Sequence, residues 1–300
     1  MAFTALDVKK LREQTGCGMM DCKKALVECD GNMDAAVDFL REKGLAQAAK
    51  KATRVAAEGM VYAAEIDGVG VVVEINAETD FVAGSDGFKA LTKKVAGVIA
   101  RQNPADVDAL LECKEDGQTV SEMVQELFLS VRENIKIRRF ERYEGVVSTY
   151  THGGGRIGVM VKFDTTDEIA AADAFKEAAK DVAMQIAAIN PSYLDEASVP
   201  ADVLEKEKAI LTQQVIDEGK PEAIAQKIVM GKIGKFYKEN CLMDQVFVKD
   251  GDYTVSKYLA KVAGELGGEI KVVSFVRFEK GEGIQKREDN FADEVASMVK

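Results

Sequence analysis

Glu58-Gly59-Met60-Val61-Tyr62 and Glu144-Gly145-Val146-Val147-Ser148 open two copies of one unit, which close at Asn103-Pro104 and Asn190-Pro191. The offset is 86 residues at the start and 87 at the end, so one inserted residue separates the two registers. Each copy reads as a hairpin followed by a helix. In the first, Met60 to Glu65 and Val69 to Ile75 alternate or run apolar around Asp67-Gly68, the pattern of strand, tight turn and strand. Phe88, Leu91, Val95 and Ile99 then recur every three or four residues, the stripe of a helix lying on a sheet. The second copy repeats the order with Val146 to Tyr150, Ile157 to Phe163 and the stripe Phe175, Ala178, Ala179, Val182, Ile186. Two units rather than a longer array predict a pseudo-symmetric α+β core with antiparallel sheets.

At 300 residues and 47% hydrophobic content, two or three domains with ordinary cores are expected. No stretch of about 18 apolar residues occurs, and no basic-apolar leader precedes the first helix, which leads us to expect a soluble cytoplasmic protein. The five cysteines are odd in number and scattered, unlike a disulfide framework, so reduced thiols are expected. A net charge of −11 argues against a long nucleic-acid surface, which needs clustered Lys and Arg. Residues 1 to 55 carry ten basic and eight acidic side chains; their net +2 leaves −13 for the rest and marks a separate unit.

That unit reads as three short helices. Thr4 caps a helix carrying Leu6, Val8 and Leu11, Thr15-Gly16-Cys17-Gly18 breaks it, and Met20 to Glu28 forms the second. Asp30-Gly31-Asn32 supplies a turn and an N-cap, and the third helix buries Ala36, Val37 and Leu40 before Gly44 ends it. Lys50-Lys51-Ala52-Thr53-Arg54 is a polar connection to the core. Met19 and Met20 are either gap-fillers in a helical core or an exposed, adaptable contact surface. Between the copies, Met123, Val124, Leu127, Phe128 and Val131 mark a helix over Val120 to Ile135 that feeds Ile135 to Phe140. After the second copy, Val203 to Ile216 and Pro221 to Tyr237 are helical runs joined by Glu218-Gly219-Lys220-Pro221, an αα-hairpin with glycine past one helix and proline opening the next. Leu204, Ile210, Leu211 and Val215 would face Ile224, Ile228, Ile233 and Phe236, either in a projecting coiled-coil finger or within a core. A strand over Ile270 to Phe278 and a charged helix near Phe291 to Val299 close the chain.

Most candidate chemistry fails on physical grounds. Gly153-Gly154-Gly155-Arg156-Ile157-Gly158 satisfies G-x-G-x-x-G, yet dinucleotide binding needs a following helix to face phosphate, and Val159 to Phe163 reads as a strand. Neither G-x-x-x-x-G-K-[ST] nor G-x-S-x-G occurs. His152 is the lone histidine and cannot build a His-rich metal site. Glu78, Asp80 and Asp86 lack the every-second-residue spacing of a calcium loop and read as solvated carboxylates. Thr79-Asp80-Phe81-Val82-Ala83 is more informative, setting a bulky aromatic beside a carboxylate in a loop with nothing catalytic around it. Phe81 is either a core side chain or an exposed wedge.

Leu11-Arg12-Glu13-Gln14-Thr15-Gly16-Cys17-Gly18-Met19-Met20-Asp21-Cys22-Lys23-Lys24-Ala25-Leu26 resembles the N-terminal signature of the elongation factor Ts family, and Glu78-Thr79-Asp80-Phe81-Val82-Ala83 resembles its second signature. The resemblance continues through the Glu-Gly repeats, Glu133-Asn134-Ile135-Lys136-Ile137-Arg138-Arg139, Gly219-Lys220-Pro221 and Cys241-Leu242-Met243-Asp244-Gln245, and covers essentially the whole chain. It implies a ubiquitin-associated-like three-helix module over 1–55, a core N-subdomain over 56–140, a core C-subdomain over 141–280 carrying the helical hairpin at about 200–240, and a C-terminal helical module over 281–300.

The family resemblance also implies a function without a catalytic group or cofactor: guanine-nucleotide exchange on elongation factor Tu, GDP-bound or nucleotide-free, with no direct nucleic-acid or membrane partner. Thr79, Asp80, Phe81 and Val82 match the element that enters the partner beside its magnesium site, the phenylalanine acting as a wedge. Met19, Met20 and Lys23 match contacts of the N-terminal module, while Asp21 and Lys24 read as capping or solvating the helix. His152 and Gly153 match a turn touching another partner domain, and Val131 precedes Arg132 where members often carry glycine. A homodimer or a two-to-two complex stays open. Two rivals are distinguishable: a polypeptide-binding adaptor would use residues 1 to 55 alone, and a small-molecule enzyme would bring the glycine turn and carboxylates into one ligand-stabilised pocket.

Overall fold

The computed structural model describes residues 3–219 and 221–285. Three helices come first: α1 (Ala5–Thr15), α2 (Met19–Glu28) and α3 (Met33–Lys51). Thr4 closes a capping box with Asp7, Gly16 ends α1 in the left-handed conformation, and the Asn32 side chain accepts the Ala35 N–H at 3.1 Å. Leu11, Cys17, Cys22, Leu26, Ala36 and Leu40 form their buried core. Gly44 does not end α3, which runs on through Lys51. A β-carbon at Gly44 would overlap Leu129, so this glycine serves close helix approach rather than termination.

The first half of the core follows as β1 (Glu58–Ile66), β2 (Val69–Ala77), α4 (Asp80–Gly84), α5 (Asp86–Gln102), α6 (Val107–Glu112), the short β3 (Lys114–Glu115) and β4 (Gln118–Thr119), α7 (Val120–Val131) and β5 (Lys136–Glu144). The second half comprises β6 (Val146–His152), β7 (Ile157–Asp164), α8 (Asp167–Ala171), α9 (Asp173–Ile189), α10 (Ala201–Asp217), α11 (Glu222–Asn240), β8 (Val246–Phe247), β9 (Asp250–Thr254), α12 (Val255–Glu265) and β10 (Lys271–Glu279). Two antiparallel three-stranded sheets result, β1-β2-β5 and β6-β7-β10, each a hairpin whose second strand takes the late strand on its free edge. The fold is α+β, as the periodicity predicts.

Duplication runs further than the hairpin and helix. Thr79 and Thr166 cap the one-turn helices α4 and α8, each accepting an N–H three residues on at 3.4 Å. Asn103 and Asn190 end α5 and α9 in the left-handed conformation. Thr119-Val120-Ser121 and Thr254-Val255-Ser256 open α7 and α12, each after a short hairpin. Even the irregularities match: Arg138 bulges opposite Glu74/Ile75, and Val273 bulges opposite Lys162/Phe163.

Each sheet packs helices on one face and the other sheet on its opposite face. Val71, Val73, Ile75 and Ala77 of β2 join Phe88, Val95 and Ile99 of α5, while Val61, Ala63 and Val72 meet Met160 and Phe278 between the sheets. Burial on both faces explains why β2 reads as a continuous apolar run. Gly70 and Gly158 occupy matching positions at this contact. A β-carbon on Gly70 would lie 2.6 Å from the Met160 sulfur, and one on Gly158 would overlap Val61, so close sheet approach requires the missing side chains.

Helices α10 and α11 form a hairpin with a small core of its own, Val215, Val229 and Ile233 with Leu204, Leu211, Ile228 and Tyr237. Ile210 and Ile224 of the expected seam are exposed, and the Phe236 ring lies 6.5 Å from that of Tyr193 at the base. The helix expected near Phe291 to Val299 lies outside the described residues.

Glu74 sits fully buried where the sheets meet. It accepts hydrogen bonds from Arg138 at 3.0 Å, Arg139 at 2.7 Å, Asn76 at 3.1 Å and the Gly281 N–H at 2.8 Å. Burial alone would raise its pKa, but the Gly281 N–H and Arg139 outweigh it and hold the carboxyl below its ordinary value of 4.5. The unfolded chain then binds this proton more tightly than the folded one. The stabilisation is complete above the unfolded value and is lost as pH falls through the lower folded value. Glu74→Gln is expected to destabilise the protein by about 2–4 kcal/mol at pH 7, by leaving both guanidiniums without their counter-charge. Urea unfolding across pH 3 to 7 checks this, the gap between variant and parent narrowing only in the acid range.

Candidate functional site

The element carrying Phe81 is a helix rather than the expected loop. Thr79 caps α4 at its start, and Ser85 both closes it, donating its hydroxyl to the Val82 carbonyl at 2.7 Å, and caps α5 at the Phe88 N–H. Ala83 is buried and Val82 half-buried against the first sheet's core, so the inward face is fixed by packing. Phe81 points the other way and is 88% exposed, beside the exposed Asp80. The matching position of α8 is Glu168, the residue solvent would select on an outward face. An exposed phenylalanine at this position costs solubility and adds nothing to folding.

Two loops clamp α4 reciprocally. The Glu133 carboxylate accepts the Thr79 N–H at 2.9 Å and its hydroxyl at 2.7 Å, while Glu78 accepts the Asn134 N–H at 2.7 Å and pairs with Arg54 at 3.3 Å. The Asn134 amide donates to the carbonyls of Arg54 at 2.8 Å and Ala52 at 3.3 Å, drawing the connection from α3 into the same knot. Glu78 is thus a structural acceptor rather than a solvated carboxylate. Sequence reasoning missed Glu133 and Asn134 as the partners of Thr79 and Glu78, since the pairs lie 54 and 56 residues apart.

Met19 and Met20 are 54% and 75% exposed at the start of α2, with Lys23 exposed on the next turn. They do not fill the helical core. Asp21 neither caps nor simply solvates α2; it pairs with Arg132 at 2.8 Å. Val131 ends α7 with its side chain half-buried on the first core.

A family model described as Elongation factor TS matches residues 78–282. A relative from Clostridium perfringens (strain SM101 / Type A), named elongation factor Ts, is 54% identical over 302 residues, covering 99% of both chains. One of the same name from Clostridium novyi (strain NT) is 50% identical over 304 residues, covering 99% of this chain and 98% of the relative. This chain belongs to the elongation factor Ts family. Its role is that of a translation elongation factor, and α4 lies within the matched region.

The glycine turn is followed by strand β7 and not by a helix. Gly153, Gly154 and Gly155 all have left-handed φ, and the Gly155 carbonyl accepts the Val61 N–H at 2.8 Å. Val61 pairs with Glu74 three residues from the Glu58/Ala77 pair that leads into α4, so the turn and α4 lie at the same end of β1. His152 is exposed before the turn, its Nδ1 3.0 Å from the Tyr150 hydroxyl, and the adjoining cleft of about 460 Å³ is lined by Arg156, Arg277 and Glu279. The structure therefore places the Phe81 helix and the His152 turn at one end of the core. Helix α2, which carries the exposed methionines, is tied to the end of α7 by the Asp21–Arg132 pair.

Glu133→Ala should release α4 without unfolding the core. Amides 79 to 84 are expected to exchange about tenfold faster or more, the scale of one or two lost charge-assisted hydrogen bonds, with α5 protection unchanged. Native-state hydrogen exchange measures both.

Proposed function

We propose that this chain is a guanine-nucleotide exchange factor that binds elongation factor Tu, promotes GDP release by disturbing its Mg²⁺ and phosphate site, and so allows GTP to reload. The observation that carries the reading is Phe81: an almost fully exposed aromatic on a clamped helix, at a position where the duplicate carries Glu168. A side chain held out at this cost is built to be buried by something else.

The mechanism needs no reacting group on this chain. A nucleotide's charged end is held by Mg²⁺ and phosphate-binding backbone, so a wedge that displaces them weakens GDP without touching its base. Burying a phenylalanine contributes about 1.5–3 kcal/mol. A ten-thousandfold acceleration needs about 5.5 kcal/mol of differential stabilisation, so Phe81 supplies up to about half. Met19, Met20, Lys23, Asp80, His152 and Gly153 supply the remainder as contacts that hold the wedge in place. Val131, half-buried against the core, adds only the part of its side chain that packing leaves uncovered.

Linkage completes the cycle. If this factor weakens GDP binding, bound GDP weakens the factor by the same equilibrium factor, so the stable complex is the nucleotide-free one and incoming nucleotide dissolves it. The protein acts beside the translation apparatus in the cytoplasm, as a binding protein and not an enzyme. Among the described residues, no helix is long and apolar enough to cross a membrane.

The test is the release rate of a fluorescent GDP from elongation factor Tu. The parent protein is expected to accelerate release strongly. Phe81→Ala should lower that effect about 10- to 100-fold while leaving the melting temperature unchanged, because the ring makes little contact within the chain. Parent protein that leaves the release rate at its spontaneous value would refute the proposal.

A further inference from the structure

Six described non-glycine residues have left-handed φ. Five are Asp30, Asp67, Asn103, Asp116 and Asn190, whose short polar side chains tolerate that region; the sixth is Arg132, at φ 61°. It ends α7 by donating its N–H to the Phe128 carbonyl at 2.8 Å, a position that glycine fills without strain. Only the side chain can justify an arginine there.

That side chain reaches the N-terminal module. One guanidinium nitrogen donates to Asp21 at 2.8 Å and another to Gln47, while the Arg132 carbonyl accepts from Lys51. Arg41 with Glu122 at 2.8 Å and Gln125 with the Arg41 carbonyl at 3.0 Å also join module to core and act on α3, while Asn134 and Glu78 hold the connection after it at Ala52 and Arg54. Asp21 is on α2 and directly follows Met19 and Met20. Next in sequence to Arg132, Glu133 and Asn134 clamp the helix that carries Phe81.

We infer that Arg132 is a positioning residue that fixes the spacing between the exposed methionines of α2 and the Phe81 helix, so that both meet one protein surface at once. The inference rests on the exchange-factor reading for its functional consequence. Two contact elements held at a fixed separation engage as one: once the first is seated, the second is present at high effective concentration and loses little further freedom. Arginine brings the two elements into register at the expense of local backbone comfort.

The test compares the full chain with Arg132→Gly and Arg132→Ala. Glycine removes the tether but relieves the backbone; alanine removes the tether and keeps the strain. On elongation factor Tu carrying fluorescent GDP, both variants are expected to keep the maximal release rate, since Glu133 still holds α4. Both should raise the half-saturating factor concentration about three- to fivefold, the scale of one partly exposed ion pair. Thermal stability should fall for alanine only. Met20→Ala added to Arg132→Gly should cost less than the product of the single effects, because Arg132 acts through the placement of Met20. An unchanged concentration dependence in Arg132→Gly, or strictly multiplicative effects, overturns the inference.

A second measurement is independent of exchange activity. Nitroxides on Lys24→Cys and Lys93→Cys, with Cys29 and Cys113 replaced by serine, should give one narrow distance that broadens in Arg132→Gly. If the parent chain releases no GDP, the exchange reading fails while this distance still decides the positioning role. An equally narrow distance in the variant refutes it.

Discussion

The carboxylate of Glu74 is the constraint on which the rest of the core depends. It lies on the face of β2 that meets the second sheet, where no water reaches it, and a charge there is tolerated only if surrounded by donors. The β-bulge at Arg138 provides them. In a regular strand, Arg138 and Arg139 would point to opposite faces, whereas the bulge turns both toward one carboxylate. The Gly281 N–H, just past β10, completes the set, so one buried side chain joins β2, β5 and the exit of the last strand. Arg139 also lies over the Phe278 ring at 4.1 Å, which ties the ionic cluster to the apolar contact between the sheets. Relative placement of the halves, and with it the juxtaposition of α4 and the glycine turn, follows from this cluster together with Gly70 and Gly158.

Much of this architecture was legible in sequence because its signals are local. Asp67-Gly68 adopts two consecutive left-handed residues, as a tight hairpin turn demands, and the stripes Phe88-Leu91-Val95-Ile99 and Phe175-Ala178-Val182-Ile186 are buried. Illegible features were of two kinds. Strands of two residues, such as β3 and β8, are too short to show any period, although Thr119-Val120-Ser121 and Thr254-Val255-Ser256 carried the repeat that marks the helices after them. Gly44 was misleading because a glycine that stops a helix and one that lets another helix approach look the same in sequence; the difference lies in Leu129, 85 residues away.

The candidate site divides along the same line. Phe81 was identifiable from its own motif, and comparing the copies sharpens it, since Thr79/Thr166 and Asp80/Asp167 match while Phe81 stands against Glu168. A residue that departs from its duplicate while its neighbours keep the local fold has been released from a folding role. The supports were not legible. Thr79 depends on Glu133, and Asp21 on Arg132, through hydrogen bonds that join elements packed together only in the folded chain. Asp21 consequently read as an ordinary first-turn carboxylate, favourable to the helix dipole and otherwise free.

Rigidity and exposure are coupled in this molecule. A mobile loop bearing Phe81 would collapse its ring onto nearby apolar surface and would lose conformational freedom on docking. The Thr79 and Ser85 caps, the buried Ala83 and the Glu133 clamp prevent both, so the ring stays outward at a fixed position. Such a surface invites self-association, and the net charge of −11 opposes it through long-range repulsion between copies. That repulsion is screened beyond roughly 8–10 Å at physiological salt, whereas burial of an aromatic ring is a contact effect. Charge therefore discourages encounters between copies without weakening a complementary surface once it is in place. Stability is placed in the paired sheets and buried Glu74, and a few apolar side chains, Phe81 foremost, are left exposed by folding. This separation lets the Phe81 helix carry a large, exposed apolar ring without making the fold depend on it.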